Sequence, residues 1–199
     1  MLWAIEDATK EALAAGSLAM QLSTLNAATP GDLQTSLAFL QQVLHRHLSR
    51  EITRVYDDAP TASAPSLSQV IQQLKVHPEL CLASFDIGVY FGVACMSEVD
   101  AIRSLENRVQ SVRNRPVFGS LRAVEHQSAE PAQTPDSAKP PGVDWPASVE
   151  LVNETMRIVM QFHGLLNNNV TDDSWRTRPP FGHELAQLIS TGLPPAAPR

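Results

Sequence analysis

Residues 33–55 of the chain read LQTSLAFLQQVLHRHLSREITRV, and this stretch decides the fold class. Its apolar residues recur at steps of three or four, which fits the period of an α-helix and excludes the alternation of a strand. The helix start is also marked, because Thr29 can cap it, Pro30 suits its first turn and Asp32 complements its dipole. The apolar positions are Leu33, Leu37, Leu40, Leu44, Leu48, Ile52 and Val55.

Similar apolar spacing marks helices along most of the chain. It predicts them over 1–25, 66–76, 80–96, 97–115, 146–166 and 181–190. Pro116 is expected to close the helix that precedes it. We therefore predict an all-α fold, a helical bundle of about five to six helices with a Pro-rich mobile loop.

The helices are expected to fall into two groups separated by a linker. Residues 1–118 form the helical bundle core, and residues 119–145, which are rich in Pro, Ala and Ser, form a linker with little core to contribute. Residues 146–192 supply C-terminal helices that pack back on the core. Residues 193–199 form a frayed tail.

Composition restricts the expected partners and compartment. The formal net charge of −6 gives no diffuse attraction to nucleic acid or to an anionic membrane, so neither is expected as a partner. The N-terminal helix carries Glu6, Asp7 and Glu11 where a secretory signal needs a basic start and an uncharged apolar segment, which indicates a cytoplasmic protein. If residues 80–96 form one helix, Cys81 and Cys95 lie too far apart for a disulfide. We therefore expect both thiols to be reduced.

The sequence contains no catalytic or metal-binding motif. It lacks a phosphate-binding glycine loop, a dinucleotide fingerprint and a nucleophile elbow. A di-iron centre needs a carboxylate three residues before a histidine, and no histidine has one. His183-Glu184 begins like a zinc helix, but Gln187 stands where the second imidazole is needed. We expect no enzymatic activity, no catalytic residue, no cofactor and no bound metal.

Two features of the central chain predict close helix packing. Ser84, Gly88 and Gly92 are spaced by four residues and would form a flat stripe that another backbone can approach. Ser97 and Asp100 form a capping pair, after which a coiled-coil-like seam follows. The seam comprises Val99, Ile102, Leu105, Val109 and Val112. We expect the stripe or the seam to pack against a second copy or another protein.

A possible polar site lies in the apolar run 80–96. Asp86 is a lone carboxylate there, and burying it is costly unless it is paired. Tyr90, one turn later, could form a hydrogen bond with it, whereas the simpler interpretation places Asp86 at the exposed edge of the helix. The run is short for a membrane span and contains this charge, so a buried core helix is favoured and a membrane partner is not expected.

A basic patch follows, in which five arginines face a single acidic residue, Glu106, for a net charge of +4. It could bind phosphate or an acidic partner, although a solvated helix face is the simpler interpretation. Only Phe118 supplies an aromatic ring there, so sequence-specific nucleic-acid recognition is poorly supported. The arginines are Arg103, Arg108, Arg113, Arg115 and Arg122.

These observations leave three functional hypotheses. The first is a non-enzymatic structural or protein–protein interaction protein, a helical subunit of a larger assembly or a homo-oligomer. The second is a small-molecule-binding or enzymatic helical domain whose site assembles from dispersed residues. The third and weaker one is a nucleic-acid-associated regulator that uses the basic patch. The dispersed residues of the second hypothesis are His47, Glu51, Asp86, Tyr90 and His163.

Overall fold

A computed structural model describes residues 2–26, 31–57, 65–82, 84–129 and 143–166 of the chain. Every regular element in these ranges is helical, and the all-α prediction is confirmed. A short 3-10 turn, Pro78–Leu80, lies between the third and fourth helices. The seven α-helices within the described ranges are α1 (Leu2–Asn26), α2 (Gly31–Tyr56), α3 (Leu67–Val76), α4 (Ser84–Phe91), α5 (Glu98–Arg113), α6 (Pro116–Ala129) and α7 (Trp145–Leu165).

The helix predicted over 33–55 is continuous as α2, and α1 packs antiparallel along it. Gly16 marks a close approach. A Cβ at this glycine would lie 2.7 Å from Leu48 Cδ1 on α2 and 3.1 Å from Val149 Cγ2 on α7. Small side chains therefore allow α1 to sit between two other helices at close-packed distance. The buried alanines of α1 are Ala8, Ala12, Ala15 and Ala19.

Helix α7 lies in the middle of the core, where it contacts α1 and α5 as well as α4 and α6. The Thr155 hydroxyl donates to the Leu151 carbonyl oxygen at 2.9 Å, so the Tyr56 hydroxyl, 3.0 Å away on α2, donates to Thr155. The Tyr56 ring packs edge-on against Phe118 of α6, with 5.3 Å between ring centroids. The C-terminal end of α2, the first turn of α6 and the middle of α7 are thus joined through one buried phenol, whose hydrogen bond is satisfied.

Local capping fixes where two of the helices begin. Ser66 and Gln69 form a capping box at α3, in which the Gln69 amide donates to Ser66 Oγ and the Ser66 amide donates to Gln69 Oε1. At α5, the Asp100 amide donates to Ser97 Oγ at 3.1 Å. The predicted Ser97–Asp100 capping pair is confirmed, and it starts a new helix.

Part of the predicted linker 119–145 is helical, which corrects the expectation for its first residues. Pro116 follows the end of α5 as predicted, but it also occupies the first position of α6, where a missing amide hydrogen does no harm. Phe118 and Leu121 bury their side chains in the core. The rest of the predicted linker up to residue 142, the predicted helix 181–190 and the tail 193–199 lie outside the described residues.

Candidate functional site

The predicted small-residue stripe does not form, because α4 ends at Phe91. Gly92 has a φ of 71°, a left-handed conformation that glycine adopts without penalty. The Gly92 amide donates to the Val89 carbonyl oxygen and the Val93 amide donates to the Gly88 carbonyl oxygen, the paired bonds of a Schellman cap. A Cβ at Gly88 would lie 2.7 Å from the Val93 carbonyl oxygen. Both glycines therefore serve the chain's own turn.

The predicted seam packs against other helices of the same chain, so the structure shows helix packing at these residues without a partner. Helix α5 uses it to pack against α3 and α7. Only Val99, at the start of the helix, is largely exposed among the five seam residues. A heptad pattern shows that a face is apolar, but it does not show which helix covers that face. The buried seam residues are Ile102, Leu105, Val109 and Val112.

Acidic and amide side chains offset part of the basic patch. Arg108 pairs with Glu154 on α7 and donates a second hydrogen bond to Gln161. Arg103 pairs with Asp100 one turn earlier, with 3.3 Å between the charged atoms. The patch is thus less cationic than its sequence indicates, and the Arg108 contacts tie α5 to α7. Its other members are the half-buried Arg113 and Arg115 and the exposed Arg122.

The dispersed polar residues of the second hypothesis are separated by their own partners. His47 Nε2 is 3.7 Å from Glu11 Oε2 on α1, and both side chains are exposed. Glu51 is buried and lies 3.6 Å from Arg54 on the same helix. His47 and Glu51 therefore contact different partners, one on α1 and the other on α2 itself.

Tyr90 lies on α4, apart from His47 and Glu51 on α2. Its side chain contacts α7. Its ring packs directly on Gly164, where any side chain would overlap it. The side chains of Asp86 and Ser84 lie outside the described residues, so the predicted Asp86–Tyr90 contact stays a prediction. Tyr90 is 41% exposed, and its visible role is to seat α4 on α7.

A buried ionisable pair, Glu6 on α1 and His163 on α7, was not foreseen from the sequence. Oε2 of Glu6 lies 2.9 Å from His163 Nε2, although the imidazole N–H departs from a straight hydrogen bond. Lys10 Nζ contacts the other carboxylate oxygen at 2.5 Å, and Trp3 packs over the imidazole at 5.0 Å. Burial lowers the pKa of His163, and the Glu6 carboxylate only partly opposes this effect.

The Glu6–His163 pair has no exposed surface through which a substrate could reach it. The exposed fraction is 4% for the Glu6 side chain and zero for His163. The lowered pKa of His163 keeps its imidazole neutral at pH 7. The arrangement accordingly ties α1 to α7 inside the core.

A cavity of about 230 Å³ lies between α2, α6 and the start of α7. The lining is mostly apolar and includes Val117, Leu121 and Val143. The imidazole of His45 also lines the cavity. The edge of the His45 ring meets Trp145 at 5.3 Å between centroids, and burial lowers the pKa of His45. The cavity is smaller than most drug-sized ligand sites, and none of the five dispersed residues lines it.

The most unusual surface is an exposed apolar face on the N-terminal half of α2, which we call the α2 face. Phe39 is 64% exposed, and the other three side chains are each more than 40% exposed. From residue 12 to residue 45 the only charged residue is Asp32. Folded surfaces normally carry many charges, whereas the centres of protein interfaces are depleted in them and rich in aromatic side chains. The α2 face consists of Leu33, Phe39, Leu40 and Val43.

Sequence periodicity assigned Leu33 and Leu40 to the core, and the structure places both on the α2 face. Leu37 instead packs with Leu18 and Leu22 of α1 in a small cluster separate from the main core. The sequence does contain a signal for this exposed face. The apolar sector of α2 is too wide to be covered by one neighbouring helix, and the same stretch lacks charged residues. A two-helix contact covers only one side of such a helix.

Comparisons with known proteins do not assign this site. No protein-family model matches the chain, and neither the curated proteins nor the solved structures contain a significant match. Among the described residues no group of three or more His, Cys, Asp or Glu side chains could hold a metal ion. None of the helices in the described ranges is long and apolar enough to cross a membrane.

Proposed function

We propose that this chain is a non-enzymatic protein–protein interaction protein, cytoplasmic as expected from its sequence, and that it binds its partner through the α2 face. The observation that carries this proposal is the exposure of Phe39 and Val43 within residues 33–45 of α2, a stretch that contains no Asp, Glu, Lys or Arg. Scattered single apolar residues on a surface are ordinary, but a contiguous patch that includes an aromatic ring is typical of a binding site.

The energetics favour a covered state for the α2 face. Removing apolar surface from water contributes about 25 cal/mol per Å², and the aromatic ring of Phe39 offers the largest area on this face. No charged group of the face has to be desolvated, so the contact avoids the main electrostatic cost of association. Phe39 is the residue most suited to be the energetic centre of the interface.

The proposal is tested by removing the apolar groups of the α2 face. Complexes of the full chain purified from its source cells would be compared by native mass spectrometry for wild type and for the double variant Phe39→Ser, Val43→Ser. We expect the variant to lose the wild-type complexes. A matched double variant, Val76→Ser, Val99→Ser, removes equally exposed valines from other helices and should retain them. Identical complexes in all three proteins would overturn the proposal.

A second candidate function is the binding of a small apolar molecule in the cavity beside His45. Its mostly apolar walls and neutral imidazole favour an uncharged ligand. Indole would then raise the melting temperature of the wild type, by an amount that grows with the logarithm of its concentration above the dissociation constant. Ser120→Phe, which adds a ring at the cavity wall, should abolish that shift. An unchanged melting temperature with saturating indole would remove this candidate.

A further inference from the structure

Three residues on α2 are evenly spaced along the helix, with Phe39 of the α2 face in the middle. Asp32 comes seven positions before Phe39, and Arg46 comes seven positions after it. Seven residues make almost two full helical turns, so these three positions share one side of the helix. An acidic position, an exposed aromatic ring and an exposed basic residue therefore follow one another along a single line.

We propose that the partner of the α2 face is a second copy of this chain, with the two α2 helices antiparallel and Phe39 near the two-fold axis. This inference rests on the proposed function and names its partner. In a two-fold interface the same patch contacts itself, so each position meets the one equally far from the axis on the other side. Position 46 of each copy then lies opposite position 32 of the other.

Charge favours this arrangement over the other ways of pairing two copies. The antiparallel pair places Arg46 against Asp32 twice, whereas a parallel pair would place like charges together. Antiparallel helices also set opposite ends of their dipoles side by side. Each chain has a net charge of −6, so two copies repel each other in general, and the uncharged stretch of α2 is where they can approach at least cost.

The size of the face predicts a weak and reversible dimer. Residues 32–46 span roughly 21 Å of helix at about 1.5 Å per residue, and a single helix is about 10 Å wide. Such a contact falls at the low end of specific interfaces, which bury about 800 Å² per partner at standard size. We therefore expect a dissociation constant in the micromolar range, on the order of 10 μM.

The decisive experiment is a charge exchange on the full chain, followed by sedimentation velocity over a concentration series from about 1 to 200 μM, which brackets that constant. Wild type should pass from monomer to dimer. Arg46→Glu and Asp32→Arg alone should each weaken the dimer about tenfold, because each replaces two attractive contacts by repulsive ones. The double variant Asp32→Arg, Arg46→Glu should restore the wild-type affinity. Failure of the double variant to restore it would overturn the antiparallel pairing.

Two further variants test the centre of the contact. Phe39→Ser should remain monomeric over the whole range, and Val76→Ser should dimerise like wild type. Both side chains are exposed on the folded chain, so neither change is expected to prevent folding. Circular dichroism of each variant verifies that helicity is retained. Arg122→Glu, a change of the same charge on α6, should leave the dimer unchanged.

The same measurements separate this inference from the proposed function. A wild-type chain that stays monomeric at every concentration overturns self-association. If complexes from source cells were nevertheless lost on Phe39→Ser, Val43→Ser, the α2 face would bind a different protein and the proposed function would stand. If those complexes also persisted, both proposals would fall.

Discussion

Gly164 shows at the scale of a single residue how closely α4 sits on α7. A methyl group there would overlap the Tyr90 ring, so we expect Gly164→Ala to lower the free energy of unfolding in urea by about 1–3 kcal/mol. Gly119→Ala is the matched control, because no described atom lies within 4 Å of its added Cβ. Alanine should stabilise α6 there by up to about 1 kcal/mol. Equal effects at both glycines would contradict the close contact.

His163 makes the stability of the fold depend on pH. Burial lowers its pKa in the folded chain below the ordinary value of 6.5, so the unfolded chain takes up this proton first as the pH falls. The free energy of unfolding is therefore fully retained above pH 6.5 and declines below it, by at most about 1.4 kcal/mol per pH unit for one group. The cause is desolvation of the imidazolium, which the Glu6 carboxylate offsets only in part.

Replacing the histidine tests that origin of the pH dependence. His163→Gln should flatten the decline when urea unfolding is compared at pH 7, 6 and 5. The exposed His126 provides the control, and His126→Gln should leave the decline unchanged. Some slope persists in both variants, because burial also lowers the pKa of His45. A decline that is identical in wild type and His163→Gln would assign it to other groups.

At the scale of the helical element, Gly92 determines where α4 ends. Its φ of 71° costs an L-residue about 1 kcal/mol or more. Gly92→Ala should lower the free energy of unfolding by that amount although its added methyl group meets no described atom. The measurement is urea unfolding beside Gly119→Ala, where the same change is expected to stabilise. Stabilisation at both positions would contradict the left-handed cap.

Local chemistry made several elements readable from the sequence. The three- and four-residue spacing of α2 and the Ser97–Asp100 cap depend only on neighbours along the chain, and both predictions are confirmed. The sequence predicts a helical stripe through Gly88 and Gly92 that does not form, because glycine spacing is the same whether a partner backbone or the chain's own turn approaches. At Pro116 the sequence predicts only the end of a helix, but proline also suits the first position of a helix. The start of α6 at this residue was therefore not predicted.

At the scale of the whole molecule, the location of the site was beyond sequence reasoning. Leu33 and Leu48 belong to the same apolar stripe, yet Leu48 is buried and Leu33 is 45% exposed. Within the described ranges, α6 and α7 contact α2 at His45 and Tyr56, in its C-terminal half, and these contacts join residues far apart in sequence. The contact between Glu6 and His163 cannot be read from the sequence for the same reason, because α1 and α7 lie at opposite ends of the described chain.

Unequal coverage predicts unequal protection of the backbone across the molecule. Amides of α7 should exchange with deuterium most slowly, because its core residues are fully buried. Amides of the N-terminal half of α2 should exchange faster than those of its C-terminal half, since among the described residues the N-terminal half packs through the small cluster of Leu18, Leu22 and Leu37. The measurement is hydrogen exchange with mass spectrometry at a dilution that keeps the chain monomeric. Uniform protection along α2 would contradict this division.

Tyr56 also gives the molecule an internal optical indicator. The chain contains two tyrosines, and burial raises the pKa of the Tyr56 phenol far above its usual range. In alkaline solution Tyr56 therefore stays un-ionised while α2, α6 and α7 remain together. Its share of the phenolate band in the ultraviolet spectrum emerges only when those helices separate, so disassembly at high pH can be followed without attaching any dye.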